Sequence, residues 1–166
     1  MAGGSYNIED VVLSPREELV IEYSGHNPFL ICTFARSLLR DLLKVSGSSL
    51  REDDRRWDFS DPNSRWFYGV WRGVKDEDKW TKIWFRIAAE GKFNVKDKMG
   101  SVKIQLRAHM YTNFPYGNPV TASLWKLFNF FYYNKQRRQY IEFHKDLINL
   151  MKEQILKAYG IYQEQK

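Results

Sequence analysis

The chain has a single cysteine, Cys32, so no internal disulfide can staple it, and the lone thiol fits a reducing compartment. Histidine is nearly as scarce. His26, His109 and His144 show no metal-ligand spacing, and no metal is expected. No motif identifies a reaction or a cofactor, so no bound cofactor is expected and the reading leans away from an enzyme while leaving that class open. The opening residues Met1-Ala2-Gly3-Gly4-Ser5 lack the basic and apolar regions of a secretory leader. The longest apolar run, within residues 124–133, falls far short of the roughly 20 residues that cross a bilayer. Together these absences point to a cytoplasmic protein.

What the chain does have is aromatic mass and an uneven charge. Aromatics make up 16 % of its 166 residues, enough to furnish the core of one domain. The net charge is +6, but residues 1–79 carry 11 Lys/Arg against 14 Asp/Glu. The basic excess lies in residues 80–109 (7 against 2) and 121–166 (8 against 4), which favours an anionic partner.

Residues 1–16 read as an N-terminal arm and 17–166 as a single domain. A first strand is expected over 19–23. Asn27 and Pro28 then give a helix-start signal. Leu30, Phe34, Leu38 and Leu42 follow every fourth residue, with Ile31, Ala35 and Leu39 alongside, and the helix ends near Lys44. An antiparallel meander is expected over 50–59, 65–73, 79–90 and 101–112, broken by turn-rich stretches. Its last two strands alternate most cleanly: Ile83, Phe85 and Ile87 against Lys82, Trp84 and Arg86, then Val102, Ile104, Leu106 and Ala108 against Lys103, Gln105, Arg107 and His109. Period-two alternation means one covered and one wet face. Residues 113–119 read as a loop. Helical spacing then runs from Thr121 to Tyr159, about 58 Å if unbroken, so a break is expected near Asn134 and a C-cap at Gly160.

The order strand, helix, antiparallel meander, long C-terminal helix resembles the helix-grip (SRPBCC, Bet v 1-like or START-like) superfamily over residues 17–160. The resemblance implies an α+β fold in which a curved antiparallel sheet wraps the C-terminal helix, with a hydrophobic ligand between them. The family has two short helices after its first strand and six strands in its meander, where this chain offers one longer helix and four strands. A cystatin-like sheet-on-helix fold is the alternative.

Two faces are candidates for function. The first is a ligand seat lined by Ile83, Phe85, Ile104, Leu106 and Met110 and closed by His144, Ile148 and Met151, where His144 would orient a polar ligand group. The bland reading is a filled core. The second is the outward row Lys82, Trp84, Arg86, Lys103, Arg107 and His109, whose cations and indole suit RNA or a ribosomal surface. Its bland reading is an ordinary solvated sheet face. The charged run 51–58 places Glu52, Asp54 and Arg56 on one face and Arg51, Asp53 and Arg55 on the other, as in an edge strand laced with ion pairs. Finally, the aromatic block 125–133, followed by Lys135-Gln136-Arg137-Arg138, has apolar residues on every side of its helix. Burial in the domain or in a homodimer is expected, with Phe128, Phe131 and Tyr132 facing the sheet and Trp125 and Tyr133 meeting a second copy. An anionic membrane surface is the further candidate partner. The leading expectation is a non-enzymatic carrier of a small hydrophobic ligand, with an RNA-binding or ribosome-associated protein as its rival.

Overall fold

The clean alternation of the last two strands sets the centre of the sheet. In the computed structural model, which describes residues 4–161, β5 (Thr81–Asn94) and β6 (Met99–Tyr116) pair antiparallel. The first three residues of the expected arm and the last five of the expected domain lie outside the described residues. The register sets Ile83 opposite Met110, Phe85 opposite Ala108, Ile87 opposite Leu106 and Ala89 opposite Ile104, so the apolar halves of both strands share one face. β4 (Ser64–Asp76) pairs with β5, and β3 (Leu50–Asp58) closes that side as an edge strand.

The other edge of β6 carries two strands end to end. β2 (Leu19–His26) pairs with its first half and β1 (Gly4–Val11) with its second. The fold is α+β, a curved, open, six-stranded antiparallel sheet with helices covering one face. The stretch expected to be an arm is thus largely a strand. Its partner lies 102 residues further on, where Tyr111 donates to Glu9, so no local signal announces it. The same pairing corrects the expected loop at 113–119. With β1 alongside, β6 stays extended to Tyr116.

Two caps also differ from expectation. Asn27 is left-handed (φ 54°) and its side chain caps nothing. The start of α1 (Ile31–Leu43) is held instead by Tyr159, whose hydroxyl accepts from the Ile31 amide and donates to the Pro28 carbonyl. That cap ties the first helix to the last. At α2 (Pro119–Phe128) the cap is Asn118, whose Oδ1 accepts from the Thr121 amide at 2.8 Å.

The break expected near Asn134 falls in the turn before it. Residues Asn129–Tyr133 form a π-helical turn between α2 and α3 (Asn134–Ala158). Gly160, at φ 71°, ends α3 as expected, with the Ile161 amide donating to the Leu156 carbonyl. No helix among the described residues is long and apolar enough to cross a membrane.

The helices pack on the apolar sheet face. α1 brings Ile31, Ala35, Leu38, Leu39 and Leu43, and α3 brings His144, Ile148, Met151 and Ile155. Near the β5–β6 turn the strands approach so closely that a Cβ on Gly100 would run into the Lys92 carbonyl.

Candidate functional site

The eight residues expected to line a ligand seat do come together, buried between the sheet and the helices. Ile83, Phe85, Ile104, Leu106, Met110, Ile148 and Met151 belong to one apolar cluster. With His144 they expose no more than 1 % of their surface. Surface depressions of about 250, 460, 400 and 390 Å³ are present, and none is lined by any of the eight.

His144 is held rather than presented. Its Nε2 lies 2.9 Å from Glu77 Oε1, which also pairs with Lys75 at 3.0 Å, and its ring meets the edges of Phe85 and Phe143. Burial lowers its pKa, outweighing the attraction of Glu77. The neutral ring with its proton on Nε2, assigned from this network, donates to Glu77. Protonation would put a second N–H on Nδ1, which is buried without a hydrogen-bond partner. A second polar knot lies nearby. Asp78 Oδ2 accepts from the Tyr133 hydroxyl at 2.6 Å and the Tyr140 hydroxyl at 3.0 Å, while Oδ1 accepts from the amides of Trp80 and Thr81 at 2.8 Å each. Burial opposes the charge on Asp78, but these hydrogen bonds outweigh it and hold the carboxyl below its usual range. Tyr133 also shares hydrogen bonds with Thr81, which meets Thr112 across the sheet. This clasp fixes the β4–β5 turn against the junction of α2 and α3. Cys32 offers no nucleophile, since burial pushes its thiol up to about 12.

The outer sheet face brings together the second expected set, with part of its charge paired: Arg86 lies opposite Arg107 in the register and forms no ion pair among the described residues. Arg107 pairs with Glu18, His109 lies 3.1 Å from Glu9, and Lys82 lies 3.3 Å from Asp76. Lys103 faces Glu22 in the register with β2. Trp84 has the Arg72 guanidinium 4.7 Å from its ring centre and the edge of Tyr111 beside it. On β3 a bulge between Glu52 and Asp54 re-sorts the charged run. Glu52 and Arg55 then lie on the helix-covered side, where Glu52 accepts from Trp71 Nε1, while Arg51, Asp54 and Arg56 face outward. The strict alternation expected there is corrected accordingly. Within the basic knot, Arg137 turns inward to pair with Asp10 and is buried.

The aromatic block resolves into an inner and an outer half. Trp125 stacks on buried Phe114 at 4.7 Å and donates to the Pro115 carbonyl. Trp80, at the start of β5, sets its edges against Trp125, Phe128 and Tyr133. Tyr133 is buried in the Asp78 clasp, where a role in meeting a second copy had been expected. Phe131 and Tyr132, expected to face the sheet, are exposed instead. The extra residue of the π turn turns Tyr133 inward in their place. Beside the inner half lies a groove of about 400 Å³ lined by Trp80, Thr121, Leu124, Trp125 and Phe128. Thr121 supplies its one side-chain hydroxyl. No sequence signal links Trp80 to Thr121, because only the extension of β6 beside β1 carries α2 back to the β4–β5 turn.

No family model and no curated protein matches the chain. Among solved structures, a protein of unknown function from Staphylococcus aureus is similar at 11 % identity and TM-score 0.31, covering 93 % of this chain and 94 % of that one. An uncharacterized protein from Rhizobium leguminosarum is similar at 12 % identity and TM-score 0.21, covering 93 % and 99 %. Likenesses at these scores carry no functional argument.

Proposed function

We propose that this protein is a non-enzymatic binder or carrier of small hydrophobic ligands, working in the cytoplasm on a helix-grip architecture. Support for that architecture comes from the final strand pairing back onto the first two and from the C-terminal helix on the covered face. The observation that carries the functional reading is the groove beside α2. Its volume of about 400 Å³ falls within the roughly 300–1,000 Å³ range of small-molecule sites. Two indoles, a phenyl ring and a leucine offer apolar contact, while the Thr121 hydroxyl is engaged in donating to Asn118 Oδ1. The proposed seat therefore lies at the end of the helix–sheet layer and not in the core. RNA binding on the outer face has weaker support, because carboxylates partner Lys82 and Arg107 and an arginine covers the indole.

The test is native mass spectrometry of freshly isolated protein, followed by titration with a soluble fluorescent fatty-acid probe. Co-purified apolar compounds and saturable probe binding lost in Thr121→Trp are expected. Ligand-free protein that does not bind the probe, or undiminished binding in Thr121→Trp, would overturn the reading.

A further inference from the structure

The exposed side of α2, which borders the groove at Leu124, does not look like a solvated helix. Val120, Leu124, Leu127 and Phe131 recur at steps of four, three and four along roughly one side, and Lys135 and Arg138 continue the row at four and three. Phe130, Phe131 and Tyr132 expose 73, 67 and 73 % of their surface. A surface helix normally turns polar residues outward, so an exposed apolar stripe of this size marks a contact.

Charge identifies the contact. No Asp or Glu occurs between Asp97 and Glu142. Lys126, Lys135 and Arg138 are exposed around the stripe and form no ion pair among the described residues. Two acids do reach this segment, and both are engaged: Asp78 with Tyr133 and Tyr140, and Asp10 with Arg137. A second copy docking here through a two-fold axis would bring cations against cations with no carboxylate to meet them. Exposed Phe and Tyr side chains flanked by unpaired Lys and Arg match the boundary of an anionic bilayer, where rings enter the headgroup layer and cations meet phosphates.

We infer that α2 and the π turn dock this protein on an anionic lipid surface, with Leu127, Phe130 and Phe131 entering the headgroup boundary. The inference deepens the carrier reading and rests on it for the purpose of docking. Leu124 belongs to both the stripe and the groove, so docking would open the ligand seat directly onto lipid.

The test is sedimentation of the full chain with phosphatidylcholine vesicles, with or without about 30 % phosphatidylserine. Three surface cations, at about one kcal/mol each, predict a preference of roughly 100-fold for the anionic vesicles, shrinking as salt is raised. Phe130→Ser with Phe131→Ser should abolish vesicle binding, and Lys126→Glu with Lys135→Glu and Arg138→Glu should remove the preference. All five side chains point to solvent, so circular dichroism should be unchanged. The docking inference is overturned by equal binding to both vesicle types, by no binding to either, or by a dimer that the phenylalanine pair dissolves. The soluble-probe titration separates the two proposals. Probe binding without vesicle binding overturns docking alone, and vesicle binding without probe binding overturns the groove alone.

Discussion

Removing one oxygen atom from the Asp78 clasp tests how the aromatic end is held in place. In Tyr133→Phe the ring stays, and its contacts with Trp80, Phe114 and Phe128 stay with it. What disappears is the 2.6 Å hydrogen bond to Asp78 and the 2.6 Å contact with Thr81. A hydrogen bond to a charged group contributes about 1.5–3 kcal/mol. Asp78 keeps three other donors and Thr81 keeps Thr112, so a loss of about 2 kcal/mol is expected. With a urea m-value of about 2 kcal/mol/M, that moves the midpoint down by about 1 M. Exposed Tyr132→Phe serves as the control and should stay within about 0.5 kcal/mol of the parent. The pH dependence gives a second reading. Because the folded Asp78 carboxyl titrates below its usual 3.8, the clasp is at full strength above that pH and weakens as pH falls through the lower folded value. The gap between Tyr133→Phe and the parent should be constant from about pH 5 to 8 and narrow in strong acid. A midpoint shift no larger than that of Tyr132→Phe would refute the clasp.

Further tests address the core, the close approach near the β5–β6 turn and the outer face. Phe114→Ala removes the fully buried ring under Trp125 and should cost about 3–5 kcal/mol by urea unfolding. Burial lowers the His144 pKa, so its contribution is complete above the unfolded value of about 6.5 and is lost as pH falls below it. His144→Phe should therefore lose less stability than the parent between pH 7.5 and 5. An equal loss in both proteins would contradict the neutral buried imidazole. Gly100→Ala forces a Cβ against the Lys92 carbonyl and should cost about 1–3 kcal/mol, measured by thermal melting. On the outer face, the triple variant Lys82→Glu, Arg86→Glu, Arg107→Glu should leave any RNA retention in a filter assay unchanged, and a salt-sensitive loss would restore the RNA reading.

Local chemistry made some elements legible and left others hidden. Strands β5 and β6 declare themselves because Ile83, Phe85 and Ile87 must share a face, and that requirement needs no knowledge of the rest of the chain. The buried row of α1 is Ile31, Ala35, Leu38, Leu39 and Leu43, so it shares Leu38 with the Leu30–Phe34–Leu38–Leu42 row that is plainest in the sequence and otherwise follows the residues alongside it. Both rows are apolar, and only the sheet decides between them. β1 was unreadable because Tyr6 and Ile8 carry too little apolar alternation to name a partner that follows a hundred residues later. The bulge at Asp53 and the π turn each move one residue relative to a regular ladder, and both reassign which side chains face inward. The convergence of the eight residues on one buried face was legible from their alternation. The groove was not, because it is assembled from the β4–β5 turn and α2, segments with no shared pattern.

A methyl-resolved NMR titration with decanoate would test the central claim most directly, since it reports where an apolar chain touches the folded protein. Shifts confined to the methyls of Val120, Thr121, Leu124 and Leu127 are predicted. Shifts centred on Ile83, Ile104, Leu106 and Ile148, or none at any concentration, would contradict the account.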